Sequence, residues 1–119
     1  MERSVTGGVL KKCSVGEMPP TGYERKGICA SHGGDQGSHH VCVKNIRETS
    51  FCKASGQTDW CDSKQDWCVC EWAFDRAISK HGCDSYKIQC DATNEAVLRN
   101  YERNGNHEAA ACVRGQCNV

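Results

Sequence analysis

The sequence predicts an α+β fold: a small single domain with a small sheet, two to three short helices and a loop-rich N-terminal half tethered by cysteines. Three observations carry this. β-forming residues gather at His40–Ile46 and alternate at Tyr86–Cys90. Apolar residues recur at helical spacing after Trp67. Glycine and proline interrupt the chain repeatedly before residue 38. A length of 119 residues fits one domain.

Residues 1–38 carry Gly7-Gly8, Gly16, Pro19-Pro20, Gly22, Gly27, Gly33-Gly34 and Gly37, which break regular elements. A long irregular stretch in a compact domain needs tying down, and Cys13 and Cys29 lie within it. His40–Ile46 reads as a strand in which Cys42 faces away from Val41 and Val43. Thr49–Ser55 reads as a short helix, capped by Thr49, ended by Gly56 and burying Phe51 or Cys52. Trp67–His81 is the strongest helix. Ser63 and Asp66 resemble a capping box, Trp67, Cys70, Phe74, Ala77 and Ile78 share a face, and Gly82 stops it. In Tyr86–Cys90, Tyr86, Ile88 and Cys90 point one way, as in a half-buried strand. Thr93 caps a last helix over Asn94–Arg103, with Val97, Leu98 and Tyr101 inward and Asn104-Gly105 as its stop. Residues 1–105 are read as the domain. Residues 106–119 are read as a polar tail, ordered only if Cys112 and Cys117 anchor it.

Cysteine is the residue in excess, at 11 of 119, the density of a disulfide scaffold. All are candidates for bridges: Cys13, Cys29, Cys42, Cys52, Cys61, Cys68, Cys70, Cys83, Cys90, Cys112 and Cys117. The odd count leaves one thiol unpaired or bonded to another molecule, and five bridges allow on the order of ten thousand connectivities. One local closure suggests itself, Cys112 to Cys117 through Gly115. Structural zinc sites show paired C-x₂-C ligands, and this chain has none. If Cys68 and Cys70 start a helix, they diverge by roughly 200° and serve different partners. No metal or other cofactor is therefore expected, with a zinc-binding domain as the alternative. A second alternative is a thiol enzyme around His39, His40 and Cys42, with His32 near Cys29. It needs an exposed thiol of lowered pKa beside a base. No Cys-x-x-Cys exists, and the glycines at 33–37 lack the lysine and helix of a phosphate loop.

Charge is balanced, 15 basic against 15 acidic residues. That argues against nucleic acid, which needs clustered positive charge. No apolar run approaches the roughly 20 residues that span a bilayer, and the first 13 residues lack the apolar core of a secretory signal. Many cysteines without a signal leave three resolutions: metal ligands, reduced and buried thiols in the cytoplasm, or an oxidising setting outside the secretory route, such as a virus particle, the mitochondrial intermembrane space or a hyperthermophile. The composition lacks the dense Glu/Lys charge of hyperthermophiles.

Five short motifs occur in order. Leu10–Cys13 fits a Leu-Glu-Pro-Cys segment. Pro20-Thr21-Gly22-Tyr23 through Gly27-Ile28-Cys29 fits Thr-Gly-Phe and Gly-Cys-Cys. Gly37-Ser38-His39-His40-Val41-Cys42 fits Gly-Ser-His-Thr-Val-Cys. Trp67-Cys68-Val69-Cys70 fits Trp-Cys-Leu-Cys, and Ala92-Thr93-Asn94-Glu95 fits Ala-Thr-His-Glu. Over about residues 5–103 the chain thus resembles the uncharacterised bacterial family called domain of unknown function 2237. The resemblance implies an inherited framework of Cys13, Cys29, Cys42, Cys68 and Cys70, and no activity. Asn94 stands where the family has His, and a Gly/Pro-rich stretch before Trp67 is missing. Cys52, Cys61, Cys83, Cys90, Cys112 and Cys117 are then additions. The expected function is a non-enzymatic, disulfide-stabilised structural or protein-interaction component, such as a minor capsid-associated protein of a virus particle. Its partner would be another protein, met through Tyr23, Trp60 or the unpaired cysteine.

Overall fold

Two three-residue strands form the sheet: β1 (Val41–Val43) and β2 (Trp67–Val69). They run antiparallel, with Val41 opposite Val69, Cys42 opposite Cys68 and Val43 opposite Trp67. The computed structural model describes residues 2–14, 21–22, 26–34, 38–55 and 64–119. Expectations for Tyr23, Gly56, Trp60, Cys61 and Ser63 lie outside the described residues.

Every strand residue is buried, because the sheet has a core on each side. Val41, Val43, Trp67 and Val69 enter a large apolar cluster with Phe51, Phe74, Ile78, Tyr86, Val97 and Tyr101. Cys42 and Cys68 face the other way, into a small cluster completed by Cys13, Cys29 and Ala92. The period of two in side-chain direction thus sorts carbon to one face and sulfur to the other.

A 3₁₀ turn at Ile46–Glu48 leads to α1 (Phe51–Ser55). Thr49 Oγ1 accepts the Phe51 N–H at 3.1 Å, the cap the sequence predicts. Helix α2 (Glu71–His81) buries Ala73, Phe74, Ala77 and Ile78. It starts four residues later than its periodicity predicts, because Trp67-Cys68-Val69 pairs with β1 and buries both of its faces. Gly82, at φ 87°, closes it with its N–H on the Ile78 carbonyl at 2.7 Å.

The predicted strand at Tyr86–Cys90 is a single bridge, Val43 to Ile88, flanked by Lys44 N–H to Lys87 O and Gln89 N–H to Cys42 O. It stops because Cys90–Ala92 winds into a 3₁₀ turn. Helix α3 (Ala96–Arg103) follows. Its first free N–H, on Ala96, goes to Asn94 Oδ1 at 3.0 Å. Thr93, the predicted cap, instead accepts the Cys42 N–H at 3.0 Å and donates to Gln89 O at 3.0 Å.

The predicted polar tail is a helix, α4 (His107–Cys117), whose Ala109, Ala110, Cys112, Val113 and Cys117 are buried. Ala109-Ala110-Ala111 forms helix readily and packs closely. The fold is α+β, with four α-helices among the described residues where two to three are predicted. Backbone hydrogen bonds also tie the N-terminal segment down: Val5 N–H to Thr93 O at 2.9 Å, Glu95 N–H to Arg3 O at 3.0 Å and Lys11 N–H to Asp91 O at 2.9 Å. None of the α-helices is long and apolar enough to cross a membrane, among the described residues.

Candidate functional site

Two constellations stand out, one of sulfur and one of polar side chains. The sulfur constellation begins with the sheet. Cys42 and Cys68 are direct cross-strand partners. Their backbone N–H groups turn outward to two threonine hydroxyls, Cys42 to Thr93 and Cys68 to Thr21, at 3.0 and 2.8 Å. This is the non-hydrogen-bonded type of antiparallel pair, in which side chains lie closest. Cys42 is bonded to Cys13, and Cys68 to Cys29. Each bridge pins the glycine-rich segment to one strand, as the sequence predicts.

Two further bridges, Cys83–Cys112 and Cys90–Cys117, fasten α4 to the segments before and after Ile88. The predicted closure of Cys112 onto Cys117 does not form. Both lie on one helix, and each faces a different neighbour across the interface. Cys52 is disulfide-bonded as well. Cys70, half-buried at the start of α2, is a free thiol. Cysteines from the five motifs pair with each other, and those outside the motifs pair with each other, in every described bridge between two described cysteines.

The polar constellation lies where β1 begins and α2 starts. His40 and Glu71 are buried, and His40 Nδ1 meets Glu71 Oε2 at 2.7 Å. Asn100 Nδ2 donates to both Glu71 oxygens at 3.1 and 3.0 Å, and Tyr101 Oη donates to the Glu71 carbonyl at 2.7 Å. On the other ring edge, His40 Nε2 lies 3.2 Å from the Ser31 hydroxyl. The Ser31 N–H reaches the Glu2 carboxylate at 3.0 and 3.1 Å, and Asn94 Nδ2 donates to Glu2 Oε1 at 2.8 Å. Burial alone would raise the Glu2 carboxyl, yet the hydrogen bonds from Asn94 and Ser31 and the charge His40 can carry hold it below its usual range. Tyr101 is pushed well above the ordinary phenol value, by burial first and then by the negative charge of Glu71, Asp75 and Cys70.

Hydroxyl, imidazole and carboxylate in this order recur in acyl-transfer triads. Such a site also needs N–H donors where negative charge develops. Here the Ser31 N–H is given to a carboxylate, which puts an anion beside the hydroxyl. The arrangement suits a clamp joining the N-terminus, the loop at Ser31, β1, α2 and α3. The second alternative, a thiol enzyme around His39 and Cys42, lacks a free nucleophile at Cys42, which is fully buried with its sulfur bonded to Cys13. His40 occupies the polar network.

Sequence reasoning missed Glu71 and Asn100. A glutamate in the first turn of a helix ordinarily complements the dipole in solvent, and nothing local marks this one as buried. A separate shallow groove runs between Lys11, Lys44, Ile88 and Asp91. Its Lys11 is compensated by Asp91 at 3.5 Å.

A sequence profile of the family described as "Uncharacterized protein conserved in bacteria (DUF2237)" matches residues 3–110. No curated protein matches the chain.

Proposed function

The chain belongs to this uncharacterised family conserved in bacteria, and within it we propose that this member is a non-enzymatic, disulfide-hardened structural or protein-interaction component, as a minor capsid-associated protein of a virus particle would be. The supporting observation is where the bridges lie. Cys13–Cys42 and Cys29–Cys68 fasten irregular chain to the sheet, while Cys83–Cys112 and Cys90–Cys117 fasten the last helix. Such cross-links persist in oxidising places, virion surfaces among them. The polar network ties elements together and leaves its hydroxyl beside an anion, which favours a structural role over catalysis. The partner is another protein, and the free thiol of Cys70 is the group available for a covalent contact with it.

Intact mass of the purified protein after alkylation, with and without reductant, tests the reading. Before reduction Cys70 reacts, and the eight cysteines of the four described bridges react only afterwards. Alkylation of all 11 thiols without reductant would overturn it. A fluorophosphonate probe tests the non-enzymatic half: Ser31 stays unlabelled, and labelling lost in His40→Ala would make the protein a serine hydrolase instead.

A further inference from the structure

The two motif bridges lie against each other, and the sulfur atoms of Cys13, Cys29 and Cys42 all fall within 4.8 Å of one another. These three sulfurs come from two different bridges, and the fourth, on Cys68, is bonded to that of Cys29. The four cysteines are between 0% and 3% exposed, and among the described residues the buried cluster they form contains only Ala92 besides. Disulfide stabilisation by itself does not require two bridges to meet at one point.

A tetrahedral zinc–thiolate site has Zn–S bonds of about 2.3 Å, which places its sulfurs about 3.8 Å apart. Cys13, Cys29 and Cys42 already bring three sulfurs within 4.8 Å of one another; Cys68 lies outside that trio, bonded to Cys29, and completes the geometry by swinging inward once the bridges open. The ligand chemistry is selective, since four thiolates suit a soft or borderline cation. The positions are preorganised by the sheet: Cys42 and Cys68 project side by side, and their backbones are held by Thr93 and Thr21. The sequence hides this because the four ligands come singly from four segments, without the paired spacing of zinc knuckles.

We propose that Cys13, Cys29, Cys42 and Cys68 are a redox-controlled metal site: oxidised, they are two bridges, and reduced, they bind one divalent cation of the zinc class. Reduction by a dithiol delivers two electrons and two protons to each bridge and yields four thiols. Binding of M²⁺ releases four protons and leaves an M(S–Cys)₄ centre of charge −2. In the reverse direction, two equivalents of an external disulfide accept four electrons and, with four protons, become four thiols. The two bridges re-form and M²⁺ leaves. The site needs only these four sulfurs, so it does not depend on the structural role proposed above.

The test uses the full chain, reduced and freed of reductant without oxygen, then titrated with Co²⁺ and with Zn²⁺. Expected are one metal per chain, the absorption of tetrahedral cobalt thiolate, and protection from alkylation that maps to Cys13, Cys29, Cys42 and Cys68. Replacing Cys83, Cys90, Cys112 and Cys117 by Ser leaves binding in place. The double variant Cys42→Ser, Cys68→Ser weakens it by about 100-fold or more, since loss even of supporting groups costs about 10–100-fold. No tetrahedral cobalt spectrum, or protection mapping to other cysteines, overturns the proposal. Protein whose bridges are fully oxidised as isolated yet binds metal once reduced supports the structural reading and this site together. Oxidised protein that never binds metal after reduction removes this site alone.

Discussion

Gly22 shows how closely single positions are specified. Its φ is 94°, and a Cβ there would fall inside van der Waals distance of the Ile28 carbonyl oxygen. Its neighbour Thr21 is fully buried and receives the Cys68 N–H. Gly22→Ala is therefore expected to lower stability by about 1–3 kcal/mol through strain, read as a shift in urea midpoint at unchanged slope. Glu71 is the second such position. Glu71→Ala leaves buried His40 and half-buried Asn100 without their acceptor and should cost about 3–5 kcal/mol, whereas Glu71→Gln, which keeps an oxygen in place, should cost less than half as much. Equal losses would deny that an acceptor oxygen is what this position supplies. Glu2 carries a pH signature. Its folded pKa is lowered, so its contribution is present above the unfolded carboxyl's value of about 4.3 and is lost as pH falls through the lower folded value. Wild type and Glu2→Gln should differ in stability at neutral pH and converge in acid.

At the scale of elements, α4 is held by three devices. Cys112 and Cys117 bond out of it, Val113 is fully buried, and the Gln116 side chain binds the edge of the segment at Ile88. The Gln116 amide gives its oxygen to the Ile88 N–H at 2.8 Å and its nitrogen to the Tyr86 carbonyl at 2.7 Å, so it satisfies a strand edge as a further strand would. Cys83–Cys112 closes a separation of 29 residues. By chain entropy, removing it as Cys83→Ser, Cys112→Ser should cost about 3–4 kcal/mol. Hydrogen exchange should show the loosening first in α4 and around Cys83–Ser85. Loosening confined to β1 and β2 would contradict this division.

In the whole molecule, a short sheet separates an apolar core from a sulfur core, and Tyr101 joins the apolar core to the polar network beside Glu71. Because the Tyr101 pKa is raised in the fold, the stabilisation of its neutral form is fully present below the unfolded phenol's value of about 10 and is lost as pH rises through the higher folded value. Alkaline titration should show Tyr101 ionising together with loss of tertiary circular dichroism. Tyrosinate absorbance that completes before the fold is lost would refute the buried donor. Tyr101→Phe should remove that step.

Class and composition were legible in the sequence, because they rest on local pattern. Phe74, Ala77 and Ile78 mark a helix face, Val41 and Val43 mark a strand, and the surplus of cysteine marks cross-linking. Ordered motifs marked the family. Four things were decided only in three dimensions. Trp67-Cys68-Val69 became a strand because β1 was there to pair with it, although its periodicity also fits a helix. Cys112 and Cys117 chose partners across an interface over each other. Glu71, an ordinary first-turn glutamate by pattern, was buried against His40 and Asn100. The sulfurs of Cys13, Cys29 and Cys42 met because three separate segments converge on one face of the sheet. The physical reason is the same in each case. Local propensity depends on neighbours in the chain, while pairing, burial and proximity depend on which distant segments share a surface.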